Sequence, residues 1–223
     1  MSQNSGNGLL IEERIFRNNG TFISYPIVVA GDSKEKTDII NQIILGDINR
    51  ILDLYSADAF EPPKSGPDIF PGDTLHIGYK IMRNDAYYLS IFYTADFFSP
   101  YGAYPTQTVY TTNIDLLNEK RLRLADLIRA DDSLTDEFLS WEPVNISPQD
   151  IQGIRDYIRG LGTEIVKRGF ASADIIGPDN ILGIFSYIKP DRLGISISLP
   201  IYLGNHAEYE KAIRPDALIW PET

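Results

Sequence analysis

Two histidines are the first side chains to consider for metal or acid–base chemistry, and they stand far apart at His76 and His206. His76 opens a predicted strand, and His206 falls in a predicted Gly204-Asn205-His206 loop. Neither shares the helical i, i+4 spacing of a zinc hydrolase, and neither has a nucleophile at a recognisable spacing. The chain also has no cysteine, which excludes thiol catalysis, cysteine zinc sites and disulfides. We therefore expect no metal and no cofactor.

Acidic side chains crowd one short segment, but their spacing does not match a calcium loop, which needs acids at alternating positions and a central glycine. Acids of this kind commonly cap a helix N-terminus, and that is the role we predict for Asp131, Asp132, Asp136 and Glu137. A carboxylate pair that hydrolyses a glycosidic bond stays open as an alternative, because its spacing belongs to the fold. No glycine-rich phosphate loop is present, so we expect no nucleotide.

Tyrosine is the residue type that stands out, with 13 in the chain and seven of them between Tyr79 and Tyr110. Most fit half-buried positions of a sheet, where aromatic residues are favoured. Tyr101 and Tyr104 differ, because both fall in a predicted loop at residues 99–105. An exposed tyrosine offers a flat apolar ring with a polar tip, which suits a sugar or a protein interface. We predict a binding site at Tyr101, Tyr104, Pro105 and Tyr110.

The overall composition is that of a folded globular protein, with 43% hydrophobic and 23% charged residues in a chain of 223. A formal charge of −11 repels nucleic acid and anionic lipid, and it favours cationic partners. No apolar run reaches the length of a membrane span. Any membrane attachment is therefore expected from an anchor upstream of Met1.

The elements that would position these residues begin with a predicted hairpin, residues 9–16 and 21–29, around the turn-forming Asn18-Asn19-Gly20. A helix follows with Asp32 as its N-cap and an apolar stripe that runs to Tyr55. Three further strands, residues 76–82, 87–97 and 106–116, then form an antiparallel meander.

The second half of the chain is predicted to begin with two short helices, residues 121–130 and 133–141, the second capped by Ser133. A longer helix starts with Ser147 as N-cap and ends at Gly169. Strands return at residues 182–188, 194–199 and 217–220. The fold class is therefore α+β, with antiparallel sheets and two main packed helices.

The proline-rich stretch 56–73 indicates a joint between two structural halves. On that basis the chain divides into an N-terminal module, residues 9–73, with the hairpin and first helix, and a C-terminal domain, residues 74–223.

Several segments resemble a known family when they are read in order. The principal ones are YYLSI at 87–91, GAYP at 102–105 and YTTNIDLLNEKRLRLADL at 110–127, with further likeness at 25–27, 39–41, 193–197 and 204–208. Together they resemble the bacterial extracytoplasmic domain shared by the anti-sigma factor RsiV and the peptidoglycan deacetylase PdaC. Tyr104 stands where that family usually has histidine, and Asn118-Glu119 replaces its usual turn glycine.

The resemblance implies an extracytoplasmic domain of the cell envelope, PdaC-like in its N-terminal module and RsiV-like in its C-terminal domain. It implies a non-enzymatic binding or sensing role. The ligand is expected to be a cell-wall glycan of the peptidoglycan type or a cationic protein such as lysozyme, and the alternative from the residues is a cell-envelope hydrolase with a carboxylate pair.

Overall fold

The structure, a computed structural model, describes residues 8–31, 33–56, 71–129 and 131–212. The chain forms two compact units, Met1–Arg121 and Leu122–Thr223. One sheet has six strands and is mixed, and the other has four antiparallel strands. Helices accompany both sheets, so the predicted α+β class is confirmed.

The first unit opens with the predicted hairpin, formed by β1 (Leu10–Asn18) and β2 (Thr21–Ala30). Asn19 and Gly20 make the turn, with φ angles of 35° and 84°. Two consecutive residues with positive φ match the twist of antiparallel strands, which is why Asn-Gly is favoured there. The Asn-Gly signal was therefore sufficient to place this turn.

Helix α1 (Lys34–Tyr55) presents the predicted apolar stripe to the core, with Ile40, Ile44, Ile48 and Ile51 all buried. Its N-cap is Ser33 and not Asp32, which lies outside the described residues. The Ser33 backbone is extended, and its Oγ accepts a hydrogen bond from the Lys36 backbone N–H at 3.1 Å. A hydroxyl at that position satisfies a helix donor as well as a carboxylate would.

The six-stranded sheet continues with β3 (Thr74–Asn84), β4 (Tyr88–Phe98), β5 (Thr106–Asp115) and the short β6 (Lys120–Leu122). Its strands lie in chain order from β1 to β6. The β2–β3 pair is parallel and the described pairs on either side of it are antiparallel, so the predicted meander is confirmed for β3 to β5.

The boundary predicted between residues 73 and 74 falls inside the first unit, where β2 pairs with β3. Residues 57–70 of the proline-rich stretch lie outside the described residues. The two compact units join in sequence at Arg121 and Leu122, and the division at 73 and 74 stays a prediction.

The second unit carries α2 (Leu124–Leu127), α3 (Asp132–Phe138) and the two-residue strand β7 (Glu142–Pro143). The predicted first helix began too early, because residues 120–122 form strand β6 before α2 starts. Asp131, and not Ser133, caps α3, since its Oδ1 accepts a hydrogen bond from the Leu134 N–H at 3.1 Å.

The long helix predicted from Ser147 to Gly169 is two helices, α4 (Ile151–Leu161) and α5 (Thr163–Ala171). Gly162 separates them with a φ of 82°, a conformation that a continuous right-handed helix does not contain. The start is also later than predicted, because Ser147 and Asp150 close a turn through a 2.9 Å backbone hydrogen bond. Asp150 is then the N-cap of α4.

The four-stranded sheet is ordered β7, β10, β9, β8 and contains β8 (Phe185–Ile188), β9 (Arg192–Ser198) and β10 (His206–Ala212). His206 therefore opens a strand and does not lie in the predicted loop. A short 3-10 helix, Ile201–Leu203, precedes it. The strand predicted at residues 217–220 lies outside the described residues. Across the described parts of both units, no helix has the length and apolar character needed to span a membrane.

Candidate binding surface on the aromatic loop

Residues 99–105, which we call the aromatic loop, connect β4 to β5. The two strands pair through to Phe97 and Thr106, and most of their residues are buried. The loop therefore projects from the end of a well-packed strand pair.

A turn gives the first half of this loop its shape. The Gly102 N–H donates to the Ser99 carbonyl at 3.0 Å, and the Tyr101 N–H donates to Ser99 Oγ at 3.3 Å. Pro100 occupies the second turn position, where its fixed φ is favourable. Gly72 lies against it, since a Cβ on Gly72 would be 3.1 Å from Pro100 Cγ. Hydrogen bonds and packing therefore both hold the turn.

The structure brings three of the four predicted binding residues to the surface. Tyr101 is 87% exposed and Tyr104 is 68% exposed, and Pro105 is exposed beside them. Tyr110 is 5% exposed, and its hydroxyl lies 3.1 Å from the hydroxyl of Tyr55 on α1. Burial, together with the Tyr55 hydroxyl, raises the pKa of Tyr110. Tyr110 therefore belongs to the interior and not to the exposed loop.

The foot of the loop carries polar and aromatic side chains that sequence reasoning missed. Gln107 Nε2 donates to Asp96 Oδ1 at 2.7 Å, and Phe98 is exposed on the same strand as Asp96. Their signal was present in the alternation of β4, since Asp96 and Phe98 continue the face that begins at Tyr88. These side chains extend the exposed surface from the loop onto the sheet.

The other tyrosines of the cluster mostly fill the sheet, as their strand positions predict. Tyr88 and Tyr93 are buried and Tyr79 is half-buried, whereas Tyr87 is exposed just before β4. Burial raises the pKa of Tyr93. Most tyrosines of this cluster therefore serve packing, and the exposed ones are Tyr87 and the two in the loop.

Several polar residues in segments 87–91 and 110–127 make contacts that hold the strands, a turn and a helix start. Asn113 accepts a hydrogen bond from Ser90 Oγ at 2.7 Å, and buried Asp115 Oδ1 accepts from the Leu117 N–H at 2.9 Å. Asp126 Oδ2 accepts from the Arg123 N–H at 2.8 Å at the start of α2. These contacts are structural, because they join β4 to β5, close the turn after β5 and hold the start of α2.

A pair of carboxylates in the second unit meets at one hydroxyl. Tyr187 Oη donates to Glu210 at 3.0 Å and lies 3.3 Å from Glu208. Its ring crosses Gly194 on β9, where a Cβ would be 2.0 Å from Tyr187 Cζ. Glu210 is buried and also forms an ion pair with Lys189. Glu210 is therefore held by both the Tyr187 hydroxyl and the Lys189 ammonium group.

The remaining sequence candidates do not converge on a site. Asp131 caps α3, and Glu137 forms an ion pair with Lys211. His206 Nε2 lies 3.3 Å from Glu208, and the His76 ring contacts Phe22. Among the residues that the structure describes, no group of three or more His, Asp or Glu side chains is arranged to hold a metal ion.

Comparison with known proteins identifies the fold through solved structures. A scan of protein-family models finds no match, and a search of curated proteins finds none. A DUF3298 family member from Bacteroides fragilis matches with a TM-score of 0.56 and 13% identity, over 93% of this chain and 92% of its own. A DUF3298 family protein from Pseudomonas aeruginosa matches with a TM-score of 0.52 and 9% identity, over 92% of this chain and 91% of its own. The chain is thus similar in fold, along nearly its whole length, to the bacterial DUF3298 proteins, a family of unknown function.

Proposed function

We propose that this chain is a non-enzymatic extracytoplasmic binding domain that recognises a cell-wall glycan through the aromatic loop. The observation that carries the proposal is the exposure of Tyr101 and Tyr104, at 87% and 68%, on a loop whose turn is packed in place. Two large aromatic side chains exposed close together in sequence on a held loop offer the kind of apolar surface with polar tips that interaction sites use.

The chemistry of the loop suits a sugar. A tyrosine ring presents an apolar face to the C–H side of a pyranose, and its hydroxyl stays available for a hydrogen bond. The neighbouring Asp96 and Gln107 side chains add a carboxylate and an amide, which pair with sugar hydroxyl groups. A pre-shaped turn also reduces the entropy that is lost when ligand binds.

The family resemblance supports the same proposal from another direction. The motifs shared with the RsiV and PdaC type of domain suggest an envelope location, and the DUF3298 fold is compatible with it. Placement outside the cytoplasm is part of the proposal, as is a role in binding or sensing.

A cationic protein such as lysozyme is the second candidate partner, and the observation in its favour is the net charge of −11. A surface of that sign raises the encounter rate with a basic protein at low salt. This candidate uses the whole acidic surface and makes no special demand on Tyr101 or Tyr104.

A sedimentation assay separates the two candidates. Purified peptidoglycan is mixed with the wild-type chain, with Tyr101→Ala, with Tyr104→Ala and with Tyr202→Ala, and immobilised lysozyme serves as a parallel bait. Tyr202 is a matched control, because it is 77% exposed on the 3-10 helix of the second unit. Each loop variant should bind the wall roughly tenfold more weakly, a loss typical of an interface anchor, and Tyr202→Ala should bind like wild type.

Equal sedimentation of the wild type and both loop variants would remove the loop from the site. Retention on lysozyme alone would transfer the proposal to a protein partner. Release of soluble sugar that Glu208→Gln abolishes would instead favour the hydrolase alternative, since Glu208 belongs to the carboxylate pair at Tyr187.

A further inference from the structure

One face of the six-stranded sheet carries a row of side chains that are distant in sequence and come from five different strands. Its members are directly opposed, strand to neighbouring strand, from β1 to β5. We call this row the polar track, and it consists of Arg17, Phe22, His76, Asp96 and Gln107.

The members of the polar track contact one another along much of its length. The Arg17 guanidinium lies 5.0 Å from the centre of the Phe22 ring. Phe22 and His76 meet edge to face with ring centres 4.8 Å apart, and Gln107 donates to Asp96 at 2.7 Å. His76 and Asp96 occupy opposed positions of β3 and β4. The row is therefore continuous and partly ordered before any ligand arrives.

The polar track points away from the buried side chains that flank it along the strands. Ile23, Ile77 and Ala95 each follow or precede a track residue by one position, and all three are buried. Because neighbouring side chains of a strand point to opposite faces, the track points away from that core. Arg17, His76 and Asp96 are exposed, and the other two members are half-buried.

The dimensions and charge of the row indicate what it fits. Five strands at the usual spacing give a length of about 19 Å, enough for several consecutive sugars of an extended chain. The track holds one guanidinium and one carboxylate, so its formal charge balances in a protein whose total is −11. That balance favours an uncharged, hydroxyl-rich ligand over a basic protein.

The two ends of the polar track carry different side chains, so a bound chain would run along the track in one preferred direction. Asp96 and Gln107 lie at the foot of the aromatic loop, next to exposed Phe98. Arg17 and Phe22 lie at the other end of the polar track, on β1 and β2 of the hairpin. A ligand that is held at Tyr101 and Tyr104 would therefore meet the track if it continued across the strands.

We propose that the polar track is an extended glycan subsite, which binds the continuation of a single sugar chain that is anchored at the aromatic loop. This proposal rests on the proposed function and adds that recognition requires an oligosaccharide of several units. Planar carboxylate, amide, imidazole and guanidinium groups supply hydrogen bonds to successive sugars, and Phe22 supplies an apolar surface.

Dependence on chain length tests the proposal. The probes are the soluble dimer and hexamer of β-1,4-linked N-acetylglucosamine, titrated calorimetrically into the full chain. Wild type should bind the hexamer at least about tenfold more tightly than the dimer. His76→Ala and Arg17→Ala should each reduce hexamer affinity several-fold, whereas dimer affinity should stay at the wild-type value.

Lys80→Ala is the matched control, because Lys80 is exposed on the same strand and face as His76 but outside the row. It should leave both affinities unchanged, and thermal melting should show that every variant folds. Equal affinities for dimer and hexamer, unaffected by the track variants but weakened by Tyr101→Ala, would overturn the subsite and leave the proposed function standing. Failure of wild type to bind either oligomer or the purified wall would overturn both.

Discussion

Asp47 is a carboxylate in the core of the first unit, and three neighbours compensate its burial. Arg121 Nε approaches one oxygen at 2.6 Å, Arg50 approaches the other at 2.8 Å, and Thr112 Oγ1 donates at 2.7 Å. Asp47 itself is fully buried. The group therefore ties α1 to the β5 and β6 end of the sheet.

Replacement of Asp47 by alanine should destabilise the protein by about 3–5 kcal/mol, because it leaves half-buried Arg121 without its carboxylate partner. Urea denaturation measures this change. The control is Asp38→Ala on the same helix, whose ion pair with Lys34 is exposed and worth about 0–1 kcal/mol. Similar losses for the two variants would contradict the structural role of Asp47.

Glu119 lies in the left-handed region of the backbone, with a φ of 54°, in the turn between β5 and β6. A side chain there costs conformational energy that glycine avoids. Glu119→Gly should therefore raise stability by about 0.5–1 kcal/mol, and Glu119→Ala, which keeps a Cβ, should not. Thermal melting distinguishes the two, and equal melting temperatures would contradict the strain.

The exposure of the loop tyrosines could be predicted from their neighbours in sequence. Which strand residues share that exposed surface could not. Tyr101 and Tyr104 fall among turn-forming residues, so their exposure follows from the sequence. Tyr110 was predicted to join them, yet its position on β5 turns its ring to the side where α1 packs. The face that a strand residue occupies depends on strand register, which is fixed by pairing and not by residue type.

At the scale of elements, Gly162 divides α4 from α5 and offers a matched test. Its φ is 82°, whereas Gly160 lies inside α4 without a positive φ, and a Cβ at either position would meet no atom within 4 Å. Gly162→Ala should destabilise by about 1 kcal/mol, and Gly160→Ala should stabilise by about 0.5–1 kcal/mol. Chemical denaturation of both measures the pair, and a stabilising Gly162→Ala would contradict the break.

The hairpin, α1 and the meander were predictable because each has a strong local signal. Strand β10, by contrast, reads HAEYEKA and has no β-branched residue, so its propensity is weak. It forms because it pairs with β9 along its whole length and with β7 at its centre. The break at Gly162 was missed because the apolar spacing continues through it, with Ile158 before and Val166 after the glycine both buried. Apolar periodicity does not reveal a single-residue break between two helices.

For the whole molecule, the fold class and the extent of the compact units differ in how far the sequence reveals them. The α+β class followed from the order of strand and helix signals. The compact units join at Arg121 and Leu122, where composition shows no change that marks a linker. Contacts between distant strands decide such a boundary, and the sequence does not display them.

The aromatic loop is the surface that we propose recognises a cell-wall glycan. The most direct measurement is the set of backbone amide chemical shifts of the chain while a soluble peptidoglycan oligosaccharide is added. We expect the largest changes on residues 99–105 and at Asp96 and Gln107, and we expect them to saturate together. Saturable changes that leave the loop unaffected and cluster around Glu208 and Glu210 would contradict it.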